Sequence, residues 1–119
     1  MPEGRGGWLG ALRDGRVGAA LAHIHRSPDR GWTNASLAEA VGMSRSRFAA
    51  RFAALVGEPP LAYLTRWRLE TAAGLLQDGA LGLGEIAARV GYESEAAFSK
   101  AFRRRFGVPP GAFRRRAAA

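Results

Sequence analysis

Seventeen of the eighteen basic side chains in this sequence are arginine, set against ten carboxylates, for a net charge of +8. A guanidinium is planar and carries five N–H donors, so it grips phosphate or guanine bidentately as well as screening charge. The excess is uneven: residues 1–44 carry five basic and four acidic groups, residues 45–119 thirteen and six. A polyanionic partner is therefore expected to meet the later part of the chain. Merely solvated arginines would give the same totals, so spacing has to decide. Other chemistry finds little support. With no cysteine there is no disulfide framework, thiolate metal site or cysteine nucleophile. His23 and His25, two apart, point to different sides of a helix and cannot pair on a metal. Gly82-Leu83-Gly84-Glu85-Ile86-Ala87 has the glycine spacing of a dinucleotide loop, but no strand signal precedes it and it reads as a turn. No catalytic residue, metal or cofactor is expected, and the chain does not read as an enzyme.

These side chains need a scaffold, and 119 residues at 47% hydrophobic suit one compact domain with a core. The opening, Met1 to Gly7, lacks the basic-then-apolar layout of a secretory signal, and no apolar run approaches the roughly 18 residues of a membrane span. A soluble, cytoplasmic protein is expected. Residues 1–14 are a glycine-rich lead-in in which Trp8, Leu9 and Leu12 could dock as a short turn. Asp14 is a candidate N-cap for a helix from about Arg16 to Arg26, whose Val17, Ala20, Leu21 and Ile24 mark one buried face. Ser27-Pro28-Asp29-Arg30-Gly31 ends it. Period-2 alternation of β-branched residues is missing while Ala and Leu dominate, which predicts an all-α fold.

The sequence also repeats. Leu37-Ala38-Glu39-Ala40-Val41-Gly42 lies over Ile86-Ala87-Ala88-Arg89-Val90-Gly91 at an offset of 49. After one extra residue in the second turn the offset becomes 50, matching Ser44 with Ser94, Phe48 with Phe98, Phe52 with Phe102, Pro59-Pro60 with Pro109-Pro110 and Tyr63 with Phe113. Two copies are too few for a solenoid and indicate a duplicated unit. Each copy reads as a short helix with an apolar stripe (Leu37, Ala38 and Val41; Ile86, Ala87 and Val90), a glycine turn, a serine N-cap and a longer helix. In the longer helices Phe48, Phe52 and Leu55, and Phe98, Phe102 and Phe106, face inward. Two helices joined by a short glycine turn make a helix-turn-helix; one such unit could be an ordinary hairpin, but two with a basic excess point to nucleic acid.

The run Ile86-Ala87-Ala88-Arg89-Val90-Gly91-Tyr92-Glu93-Ser94, then Phe98-Ser99-Lys100-Ala101-Phe102 and Phe106-Gly107-Val108-Pro109-Pro110, resembles the signature region of the AraC/XylS transcription regulators. Leu37–Phe52 is similar to that family's first unit, and Tyr63–Leu69 with Ala72–Leu76 to its central linker helix. The resemblance spans about residues 16–116. It implies about seven helices, with two homeodomain-like helix-turn-helix subdomains joined by a long linker helix. The expected organisation is a lead-in at 1–14, a DNA-binding domain at 15–116 and a tail at 117–119. Within the domain the first unit covers about 34–56, the linker helix about 60–77 and the second unit about 84–106. The implied function is sequence-specific reading of double-stranded DNA, with the helices at about 45–56 and 94–106 in successive major grooves. A linker helix from Leu61 to Gln77 would run about 25 Å, commensurate with the roughly 34 Å between adjacent major-groove turns.

Turning 100° per residue away from the inward phenylalanines puts Ser46, Ala50 and Ala53 outward on the first reading helix, with Arg47 and Ala49 flanking and Arg45 at the N-terminal end. On the second, Ala96, Lys100, Arg103 and Arg104 face outward beside Glu95 and Ser99. The family's base-contact positions fall on Ser46, Ala49 and Ala50, and on Glu95, Ala96, Ser99 and Lys100. The first set is smaller than other members often carry. Alanine can touch a thymine methyl, and Arg45 or Arg47 can reach guanine or only phosphate. Glu95 can accept from a cytosine amine or simply favour the helix dipole. Arg103-Arg104-Arg105 and Arg114-Arg115-Arg116 suit backbone phosphate. Ser44 and Ser94 cap helices whose N–H groups could face phosphate, and Arg66 and Arg68 either brace the linker helix or touch DNA.

Two other readings remain open at this point: a nonspecific nucleoid-type DNA binder using the arginine surface alone, and a basic helical domain that binds a membrane or partner. The resembling regulators carry an N-terminal effector domain, so that domain is expected to be missing here or on a longer parent chain. RNA polymerase is a candidate second partner. The related DNA-repair methyltransferases need a reactive cysteine that this chain lacks.

Overall fold

The computed structural model describes residues 14–118, which form seven helices and no strand. They are α1 (Gly15–Arg26), α2 (Asn34–Ala40), α3 (Arg45–Val56), α4 (Pro60–Asp78), α5 (Leu83–Arg89), α6 (Glu95–Phe106) and α7 (Pro110–Ala118). Trp8, Leu9 and Leu12 lie outside the described residues, so the short turn expected there is not addressed.

The chain divides into two compact units. The first holds the described residues to Ser27 with Gly31–Thr65, the second Pro28–Arg30 with Arg66 onward, and the boundary falls inside α4. In the first unit Asp14 caps α1 by accepting from the N–H groups of Arg16 and Val17 at 3.1 and 3.0 Å. Val17, Ala20, Leu21 and Ile24 are all buried, as their spacing predicts. Thr33 and Ser36 form a reciprocal capping box at the start of α2. Leu37, Ala38, Phe48 and Phe52 complete the core, with the Tyr63 ring edge-on to Phe52 at 5.8 Å.

The second unit repeats this plan. Leu69, Ala72, Leu76, Ile86, Ala87, Val90, Phe98 and Phe102 are buried together, and Phe113 sits edge-on to Phe102 at 5.3 Å, the counterpart of Tyr63 on Phe52. The phenylalanine pairs have the same separation in both units, 5.7 Å between ring centroids. Ser44 and Ser94 are the N-caps of α3 and α6, and left-handed Gly57 and Gly107 end them. Pro60 and Pro110 open α4 and α7, where a missing N–H loses no helical bond. In the turn before each reading helix, Gly42 and Gly91 take φ of +73° and +100°, a region that disfavours a Cβ.

The pattern departs from expectation where the helices are short. Val41 is the C-cap of α2 rather than part of its stripe and is only half-buried, whereas Val90 is buried. Leu55 and Phe106, near the ends of α3 and α6, are also half-buried. Ala53, expected outward, is half-buried as well. Residues 117 and 118, expected in a tail, belong to α7.

Candidate nucleic-acid interface

In the first unit the Ser44 hydroxyl accepts from the Arg47 N–H at 3.4 Å, a long capping bond. Arg45, Ser46, Arg47 and Ala50 are exposed along α3, while Ala49 is half-buried and presents less surface than its expected role requires. Arg16, Gly42, Met43, Ser44 and Arg47 line a shallow depression at the start of the helix. Arg45 and Arg47 have no acidic partner, whereas Arg51 is held by Asp14, Nε to Oδ2 at 2.6 Å. The Val17 N–H bond, followed by Arg51, keeps the Asp14 carboxyl below its ordinary value of 3.8. Arg51 is thereby committed to packing α3 against the start of α1.

In the second unit the Ser94 hydroxyl accepts from the Ala97 N–H at 3.0 Å. Glu95, Ala96, Lys100, Arg103 and Arg104 are exposed on α6, and Ser99 is half-buried. Ser99, Lys100, Arg103, Arg104 and Pro109 line one open depression, so three cations without acidic partners converge on a single face. The Glu95 carboxylate lies over the first turn of α5, with Oε1 3.5 Å from where a Cβ on Gly84 would stand. It therefore leans away from that depression.

Not every arginine expected on phosphate is available for it. Arg105 donates to Glu70 at 2.8 Å, and Arg114 donates to the carbonyls of Leu76 and Leu81. Arg68 is a brace: its Nε and Nη2 donate to the carbonyls of Pro28 and Arg30 at 2.7 and 2.9 Å, and its guanidinium lies 5.9 Å from the Tyr92 ring centre. These bonds explain why Pro28–Arg30 belong with the second unit. Arg66 pairs with Glu70 one turn along α4 at 3.3 Å. Only this last contact, at i,i+4, has a local sequence signal; the others join residues 33 to 40 positions apart.

Each unit thus holds a capped helix with an exposed polar face, a form that suits insertion into a major groove of about 12 Å. Among the described residues no group of three His, Asp or Glu side chains could hold a metal. No described helix is long and apolar enough to cross a membrane.

Residues 37–116 match the family model described as a helix-turn-helix domain. An AraC-like transcription regulator of Streptomyces lividans is 52% identical over 114 residues, covering 96% of this chain. The chain belongs to the AraC-type helix-turn-helix family. It spans 38% of the length of that Streptomyces relative. Among solved structures, the C-terminal domain of the response regulator AraT from Geobacillus stearothermophilus is similar at a TM-score of 0.80 and 33% identity, covering 85% of this chain and 84% of that one. The DNA-binding domain of AdpA, a global transcriptional factor solved with a target DNA, is similar at a TM-score of 0.77 and 32% identity, covering 82% and 87%. In AraC-type terms α3 and α6 are the second helices of the two units and α4 is the linker helix.

Proposed function

We propose that this chain is the sequence-specific DNA-binding part of a bacterial transcription regulator, reading a bipartite double-stranded site with α3 and α6 in successive major grooves. The observation that carries this reading is the duplication itself. The same capped, exposed helix recurs fifty residues later, from Arg45–Val56 to Glu95–Phe106. Membership of the AraC-type family and the similarity to a domain solved on its target DNA support it.

In the first unit Arg45, Ser46, Arg47 and Ala50 meet base edges or flanking phosphate, Ala49 contributes at its margin, and Ser44 fixes the helix start. In the second unit Ser94, Glu95 and Ala96 form the leading edge, Ser99 and Lys100 follow, and Arg103 and Arg104 neutralise backbone phosphate. The domain runs over about 15–116, works in the cytoplasm, carries no catalytic role, and belongs to a longer regulator whose remaining part supplies effector sensing. RNA polymerase is a protein partner consistent with that role.

One observation favours the nonspecific binder: Ser46 and Ala50 offer few hydrogen bonds on the first reading face. Titrating the chain against random duplex DNA, a selected duplex and anionic vesicles separates the three readings. Tight binding to the selected duplex alone supports site-specific reading. Equal binding to both duplexes supports the nonspecific reading, and preference for vesicles would replace DNA with a membrane surface.

A further inference from the structure

Glu70 is the one carboxylate of the second unit that holds two arginines. It accepts from Arg66 with both oxygens at 3.3 Å and from Arg105 at 2.8 Å. Arg105 follows Arg103 and Arg104 on the last turn of α6. Those two are exposed without acidic partners beside Lys100, while Arg105 is turned onto α4 and its guanidinium also lies 5.6 Å from the Phe106 ring centre. The first unit has no counterpart, because the position matching Arg105 is Leu55.

We infer that Glu70 is a specificity-determining residue that limits how many phosphates the second unit can neutralise, by keeping Arg105 off the DNA backbone. This rests on the DNA-binding reading above. A protein docked nonspecifically gains from every mobile cation that reaches any phosphate, because nothing else fixes its register. A protein docked on its site is fixed by base contacts and gains only where a phosphate meets the cation. Holding one arginine inside the fold therefore weakens nonspecific binding more than specific binding, and widens the ratio between them.

The test is the slope of log affinity for random duplex DNA against log salt. Glu70→Gln keeps the shape and removes the charge, so it releases Arg105 and is expected to steepen the slope by about 0.9, one added phosphate. The ratio of selected to random affinity is expected to fall. Adding Arg105→Gln to Glu70→Gln is expected to return the slope to that of the unsubstituted chain. Should Glu70→Gln fail to fold, Arg105→Gln alone still decides. It is expected to leave the slope unchanged, while Lys100→Gln lowers it by about 0.9. A folded Glu70→Gln with an unaltered slope, or an Arg105→Gln that lowers the slope, overturns the inference and leaves DNA binding standing. An unsubstituted chain that binds no duplex at all would remove both.

Discussion

At the scale of single residues, the division of the arginines matters more than their number. Lys100, Arg103 and Arg104 share one face, while Arg51, Arg68, Arg105 and Arg114 are used inside the fold. Replacing Lys100, Arg103 or Arg104 by alanine should weaken selected and scrambled duplex alike and lower the salt slope by about 0.9 each, read by titration at several salt concentrations. Arg114→Ala should instead lower the melting temperature, since it leaves two backbone carbonyls without their donor. Asp14 gives a pH signature. Its folded pKa is lowered, so the folded state binds its proton less readily than the unfolded chain does. The resulting stability is present above 3.8 and is lost as pH falls through the folded value. Asp14→Asn keeps a good cap but no charge, so its unfolding midpoint should show a smaller loss on acidification below 3.8, measured by circular dichroism.

At the scale of elements, the two turns look alike in sequence and differ in surroundings. A Cβ on Gly42 would meet nothing within 4 Å, whereas one on Gly91 would come within 2.9 Å of the Arg68 guanidinium, which two carbonyls hold in place. Gly42→Ala should cost about 1–2 kcal/mol for its left-handed backbone alone. Gly91→Ala should cost at least about 1 kcal/mol more by urea unfolding, because displacing Arg68 breaks charged hydrogen bonds. Arg68→Ala should absorb most of that excess in a double-mutant cycle. Phe48→Ala and Phe98→Ala, each removing a fully buried ring from its own unit, should each cost about 3–5 kcal/mol. The elements themselves were legible because their signals are local: Asp14, Ser44 and Ser94 as caps, Pro60 and Pro110 as helix starts, and phenylalanines four apart. What was not legible is long-range. No spacing rule links Arg68 to Pro28, Arg105 to Glu70 or Arg51 to Asp14, and the half-burial of Ala49 and Ser99 depends on which neighbour covers the flank of the helix.

At the scale of the whole chain, the sequence doubles one reading device and concentrates its positive charge on and after the second copy. Duplication raises the information read per molecule, since one chain brings two reading helices without needing a partner copy. The small residues on α3 and the basic face of α6 assign the two helices different shares of readout and phosphate neutralisation. The most direct test of site-specific reading is selection from a randomised duplex library, followed by titration of selected against scrambled duplex at about 0.15 M salt. A two-part motif whose halves lie about one helical turn apart, bound at least about 10³-fold more tightly than scrambled DNA, is the expected result. Equal affinity for both duplexes, with only a steep dependence on salt, would contradict site-specific reading and leave a binder of the DNA backbone.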